Sequence, residues 1–222
     1  MNWLQTSIHV LKKDLTIEFR TKYAMQTVLA FVVASLLLLL FTLRAQTLDP
    51  TPKSGLIWII ILFAALSVLA RSFVAETDRN TYNLLRIYGS GTSVFIGKLI
   101  FNVLFTLFIN AATFTIYLFL LDIIIVDIWA FMLVIVFGTL GLSSVSTMLA
   151  AIVSQADRKG VIFSVLSIPL LIPFLLILTR VTKIAFVDGS VSTSLNDVFS
   201  MVGFAGVTIT AGVLLFEFIW EE

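Results

Sequence analysis

The sequence predicts an all-α integral membrane protein: six transmembrane helices preceded by an amphipathic interfacial helix, in one domain over residues 1–222. Of its 222 residues, 59% are hydrophobic and only 12% are charged, with a mean hydropathy of +1.10. A soluble domain of this size exposes far more charge. Apolar stretches near the ~20 residues that a bilayer core demands recur along the chain. Lipid offers the backbone no hydrogen bonds, so each stretch crosses as a helix.

Residues 1–22 do not span. Leu4, Ile8, Leu11 and Leu15 share one helical face, with Lys12, Lys13 and Asp14 away from it. This predicts a helix lying in the interface, anchored by Trp3 with its lysines near headgroups; a frayed terminus is the alternative. The region lacks the apolar core of a cleavable signal peptide. The predicted spans are about 24–43, 55–73, 95–120, 128–153, 161–179 and 198–220. Ten of the fourteen Lys and Arg residues fall in 1–22, 71–98 and 154–160, and four in 44–53 and 180–197. The positive-inside rule then places both termini in the cytoplasm. Trp3, Trp58, Trp129 and Trp220 lie near predicted helix ends, as an aromatic belt would have them.

The longest water-facing stretch between two spans is AETDRNTYNLLRIYGSG, residues 75–91. Asp78 is a candidate N-cap, and Gly89 and Gly91 are candidate stops. Between them Thr81, Leu84, Leu85 and Tyr88 follow the i, i+3, i+4, i+7 spacing of one face. Glu76 and Arg86 add charge at the flanks. Such a helix suits docking in the groove of a soluble partner, or lying on the lipid surface. In the fourth span Thr139, Ser143, Thr147 and Ala151 form a small-residue stripe, and Gly203, Gly206, Thr210 and Gly212 echo it in the sixth. Close packing within the monomer, a dimer face and a translocation path are all open to such stripes. Pro169 and Pro173, one turn apart in the fifth span, each remove a backbone donor. They predict a kink or local unwinding, hence a possible hinge. The 180–197 loop is too short to span and suits a surface or re-entrant hairpin.

Several chemistries are missing. The net charge of +1 gives no argument for nucleic acid, and cysteine is absent. No phosphate loop, HExxH or GxSxG occurs, and His9 stands alone, so neither a metal site nor a catalytic site is expected. No Asp, Glu, Lys or Arg occupies the centre of a span, which argues against ion-coupled transport. Any energy for transport has to come from a partner.

Six spans, an amphipathic N-terminal helix and an amphipathic loop after span two resemble an ABC-2-type exporter permease. LKKDLTIEFRTK (11–22), RSFVAETDRNTYNLLRIYGSGTSVFIGKLIFN (71–102) and GTLGLSSVSTMLAAIVSQADRKGVIFSVLSIPLLIPFLL (138–176) are more closely similar to the haem exporter protein B (CcmB) family of cytochrome c maturation. The likeness runs from about Leu11 to Trp220 and is carried by Glu76, Asp78, Lys98 and the DRKG and IPLLIP runs. It implies a permease subunit, a homodimer in its complex, that pairs with a CcmA-like ATPase through the 75–91 helix. Glu76, Asp78, Leu84 and Leu85 would then form the coupling element. It implies a CcmC-like haem-handling protein and a small CcmD-like subunit as neighbours. ATP would drive haem delivery to, or release of, a CcmE-like chaperone outside a bacterial inner membrane, an organellar inner membrane being the other setting. Large external domains of other ABC-2 exporters are missing here. A permease for lipid, polysaccharide or drug, and a passive scaffold, are the alternative readings. Haem is the expected cargo, held by a partner: with no cysteine and His9 outside the spans, iron ligands would have to come from Met25, Met132, Met148, Met201 or tyrosines such as Tyr117.

Overall fold

A computed structural model describes residues 3–43, 48–78, 81, 85–87, 89–154, 159–188 and 195–221. Helices α1 (Trp3–Thr21), α2 (Tyr23–Leu43), α3 (Pro50–Leu69), α4 (Arg71–Asp78), α5 (Gly91–Leu121), α6 (Ile128–Val153), α7 (Lys159–Lys183) and α8 (Leu195–Glu221) follow in order, with a π-helical turn at Ile184–Asp188. No strand occurs among the described residues. Six candidate spans are long and apolar enough to cross a membrane; the second runs from Pro50 through α4 to Glu76, further than the expected 55–73. Sixth-span residues begin at Leu195 and third-span residues at Gly91, each a few positions before the sequence reading.

The helix α6 is the hub, packed against α3, α4, α5, α7 and α8. Its small residues make that possible. A Cβ at Gly138 would lie 2.5 Å from Trp58 Cη2, and one at Gly141 would strike the Phe174 ring. Thr139, Ser143, Thr147 and Ala151 are all buried inside this bundle. The stripe therefore packs within the chain. Lipid selects the opposite pattern at the periphery. Of α2, only the face of Val28, Val32, Leu36 and Leu39 is buried, while Phe31, Leu37, Leu38 and Phe41 point outward. On α8, Gly203 and Gly206 have open space beside them, and only Gly212 meets neighbours, Phe95 and Met148.

Pro169 and Pro173 sit inside an α7 that stays helical from Lys159 to Lys183. The expected unwinding comes later, at the π-helical turn. There the Ala185 carbonyl leaves the helical ladder to accept from Val126 N–H at 2.9 Å and Asp127 N–H at 3.2 Å. Asp127 in turn caps α6, accepting from Trp129 and Ala130 N–H, a contact of about 0.5–2 kcal/mol. Nearby, Tyr117 donates to the Lys53 carbonyl at 2.7 Å and Trp58 Nε1 to Thr182 Oγ1 at 2.7 Å. The segments near 50, 117–127 and 182–188 thus share one end of the bundle, the grouping that six crossings require. Trp58 is no part of an aromatic belt: it is fully buried against Gly138, and Trp220 is buried too, leaving Trp3 and Trp129 exposed.

The packing at Gly141 makes a test. Gly141→Val should destabilise the detergent-purified chain by about 1–3 kcal/mol through overpacking against Phe174, read as a lowered thermal unfolding midpoint. Gly203→Ala, beside open space, should leave the midpoint unchanged.

Candidate functional site: a buried charge cluster beneath residues 85–89

The other end of the bundle gathers α1, α4, the start of α5 and the end of α8. Gly97 lets α1 lie directly on α5, since a Cβ there would come within 2.7 Å of the Ser7 carbonyl and 2.9 Å of Val10 Cβ. Ser7 Oγ donates to the Ser93 carbonyl at 2.8 Å across the same contact. The α1 face turned to the protein is Thr6, Ser7 and Val10. Leu4, Ile8 and Phe19 are exposed, as a helix dipping its apolar side in lipid requires.

One turn deeper, Lys98 is 1% exposed. Its Nζ meets Asp14 Oδ2 at 3.2 Å, Glu76 Oε1 at 3.2 Å and the Ser72 carbonyl at 2.7 Å. The three ammonium donors thus have acceptors on α1, α4 and α4 again. Lys13 also bonds to Glu76 and approaches Asp14 at 3.4 Å, while Thr81 Oγ1 donates to the second Glu76 oxygen at 2.5 Å. The cluster of Lys13, Asp14, Glu76 and Lys98 is neutral overall and internally satisfied. Phe73 lies under it, its ring centroid 5.3 Å from Lys98 Nζ. Phe73 also packs on Phe216 at 4.9 Å, and Phe216 on Phe95 and Trp220 at 5.6 and 5.2 Å.

This corrects several expectations. Glu76 is buried and ion-paired within the chain, so it holds α4 to α1 and α5, and its second oxygen takes the Thr81 hydroxyl at the head of the following segment. Lys13 and Asp14 turn towards that cluster. Asp78 is the last residue of α4, and the residues that it was expected to cap lie partly outside the described ones. Gly91 opens α5 after Ser90, because Trp220 packs directly on it: a Cβ at Gly91 would sit 2.8 Å from Trp220 Cβ and Cγ. Leu84 and Tyr88 lie outside the described residues, as do parts of the 154–160 and 180–197 loops.

What is described of 75–91 still has helical order. Leu85 N–H donates to the Thr81 carbonyl and Gly89 N–H to the Leu85 carbonyl, both at 3.2 Å. Thr81, Leu85 and Gly89 form its inner face: Leu85 packs against the core, and Gly89 abuts the Thr6 methyl so closely that a Cβ would clash. Arg86 Nη2 donates to the Trp220 carbonyl at 2.6 Å, tying the segment to the end of α8. Ile87 is 80% exposed. Among the described residues of the segment the outward apolar side chain is therefore Ile87, which the sequence reading passed over, and Leu85 faces home.

A second feature missed in the sequence is a polar seam on α5. Lys98, Asn102, Thr106, Asn110, Thr113 and Tyr117 recur every three or four residues along one buried face. Asn102 Nδ2 donates to Thr147 Oγ1 and Asn110 Nδ2 to Thr139 Oγ1, each at 2.8 Å, so the α6 stripe is the seam's other half. Among the described residues, Asn102 Oδ1, Thr106 Oγ1, Asn110 Oδ1, Thr113 Oγ1 and Ser146 Oγ have no hydrogen-bond partner. The available signal was the i, i+4 run of polar residues in an otherwise apolar helix. No three His, Asp or Glu side chains gather into a metal site among the described residues.

A family model described as CcmB protein matches residues 5–216. Among curated proteins, none matches the chain.

Removing the cluster's central charge has a defined cost. Lys98→Met should destabilise the chain by about 3–5 kcal/mol, since it strands buried carboxylates. Combining it with Glu76→Gln, which restores neutrality, should recover part of that loss in the same thermal unfolding measurement.

Proposed function

The chain belongs to the CcmB family, and on that premise we propose that the end built from α1, α4 and residues 85–89 docks the partner ATPase and carries its movement into the bundle. Membership makes the chain a multi-pass membrane permease subunit of an ABC transporter for haem export in cytochrome c maturation, working with an ABC ATPase and not itself an enzyme. The finer assignment is ours. A CcmA-like ATPase receives Ile87 in an apolar groove, in the manner of a helix laid in a groove. The single observation that carries this is an exposed Ile87 on a segment whose inner face is fastened to α1 and to Trp220. A segment so braced transmits displacement instead of absorbing it.

In this reading both termini lie in the cytoplasm of a bacterial inner membrane, supported by the excess of Lys and Arg at that end. A CcmC-like protein holds haem beside the chain with a CcmD-like subunit, and ATP turnover serves haem delivery to, or release of, a CcmE-like chaperone on the outer face. Two copies pair as a homodimer. The α8 face around Gly203 and Gly206, where no neighbour lies among the described residues, suits close approach of a second helix.

Ile87→Asp should abolish co-purification of the ATPase while leaving the subunit in the membrane, because it places a charge in an apolar contact. Leu85→Asp should instead lower the unfolding midpoint of the subunit alone. Normal ATPase recovery with Ile87→Asp defeats the docking assignment.

Haem iron, on our reading, is held by a partner and not by this chain. The support is the ligand inventory: no cysteine, and one histidine, His9, exposed on α1. The purified subunit incubated with haem should give no stoichiometric low-spin spectrum. A sharp band lost on replacing Met25, Met132, Met148 or Met201 places haem here after all.

A further inference from the structure

Beside the charge cluster, between α1–α2 and α3–α4, lies a cleft of about 440 Å³, within the ~300–1,000 Å³ typical of small-molecule sites. Its floor reaches Asn102 and Lys98, and its exposed rim includes Tyr23 and Arg71. Three groups in it are left over after the protein's own bonds are counted. Glu18 Oε1 accepts from Met25 N–H at 3.0 Å, yet Glu18 pairs with no cation among the described residues. Arg71 stacks on the Tyr23 ring, its Cζ 5.8 Å from the centroid, and pairs with no carboxylate among them. Asn102, 1% exposed, has an orphaned Oδ1. The amide orientation is fixed: the Thr147 hydroxyl is committed to the Ser143 carbonyl at 2.6 Å, so it must accept from Asn102 Nδ2, leaving Oδ1 as the acceptor without a donor.

A free guanidinium, a free carboxylate and a free amide oxygen complement a phosphate joined to a hydrogen-bond-donating cation. The surroundings fix the depth. The cleft sits where the interfacial α1 turns into α2, and Phe19, Tyr23 and Phe31 are exposed along that edge. Val68 and Phe101 continue the lining in apolar material. This is the level at which headgroups meet acyl chains.

We propose that this cleft binds the headgroup of an aminophospholipid, with its phosphate on Arg71 and its primary ammonium at the Glu18 carboxylate and Asn102 Oδ1. Asp14, Glu76 and Lys98 line the cleft but are satisfied by one another, so they shape it and take no net charge from the ligand. The site does not depend on the docking assignment above, since none of its binding groups belongs to residues 85–89.

The test uses the full chain in mixed micelles, with retained lipid read by native mass spectrometry. The probes are phosphatidylethanolamine, phosphatidylcholine, which has no N–H donor, and phosphatidylglycerol, which has no cation. Phosphatidylethanolamine should be retained over both by about tenfold, a difference of ~1.4 kcal/mol. Glu18→Gln keeps an oxygen for Met25 N–H and should therefore fold with an unchanged unfolding midpoint, while its preference over phosphatidylglycerol collapses. Arg71→Gln should weaken retention of all three lipids. Equal retention of the three by the unaltered chain overturns the proposal. Displacement of the lipid by an equal concentration of soluble phosphoethanolamine overturns the lipid as occupant and assigns the cleft to a free amine.

Discussion

An ammonium ion taken out of water at Lys98 requires acceptors on every side, and that requirement places three helices. Without Asp14 and Glu76 the desolvation cost would reach several kcal/mol. With them, α1 cannot leave α5 and α4 cannot straighten away from α3 without stranding a charge. The interfacial helix, which amphipathicity alone would leave free to slide on the bilayer, is thereby fixed in position. Breaking such a cluster costs more than its net contribution to stability, and the arrangement that it holds here is the platform beneath residues 85–89.

The interior beyond that platform follows from a second shortage. Helices in lipid gain little from burying leucine against leucine, so they associate through close backbone approach and side-chain hydrogen bonds. The hub helix α6 supplies both. Gly138 and Gly141 admit the Trp58 and Phe174 rings, and Thr139 and Thr147 accept from the two α5 asparagines. Ser144 and Thr208 close a further bond to α8 at 2.6 Å. The hydroxyl-rich stretch 139–147 is the part of α6 packed inside the protein, while Met132 and Val136 of the same helix face outward.

Hydropathy made the number of spans legible, because length and apolarity are local properties. Partner choice was not legible. Nothing in the sequence around Glu76 distinguishes a carboxylate facing water from one facing Lys98 twenty-two positions on, and the pairing with Asp14 is set by the three-dimensional approach of α1 at Gly97. The 75–91 helix shows the limit well. Its amphipathic spacing was read from four residues, but spacing gives a face without saying which neighbour it meets, so Leu85 was assigned outward and Ile87 was missed. The prolines of α7 show another: an unfilled carbonyl inside a helix can be tolerated in place, and the ladder opened at Ile184–Asp188, where Ala185 had two donors from another segment to satisfy.

The length of α5 gives the charge cluster a mechanical meaning. Its 31 residues make a rod of about 46 Å at ~1.5 Å per residue, pinned near one tip by Lys98 and tethered near the other by Tyr117. A tilt of only about 5° about Lys98 would carry the far tip ~3 Å sideways over the ~35 Å that separate them. Because Tyr117 is bonded to the Lys53 carbonyl, and the α5–α6 turn to Ala185, the start of α3 and the end of α7 would be drawn along with it. A displacement too small to break a single contact at one membrane face thus becomes, at the other, a shift as wide as a side chain.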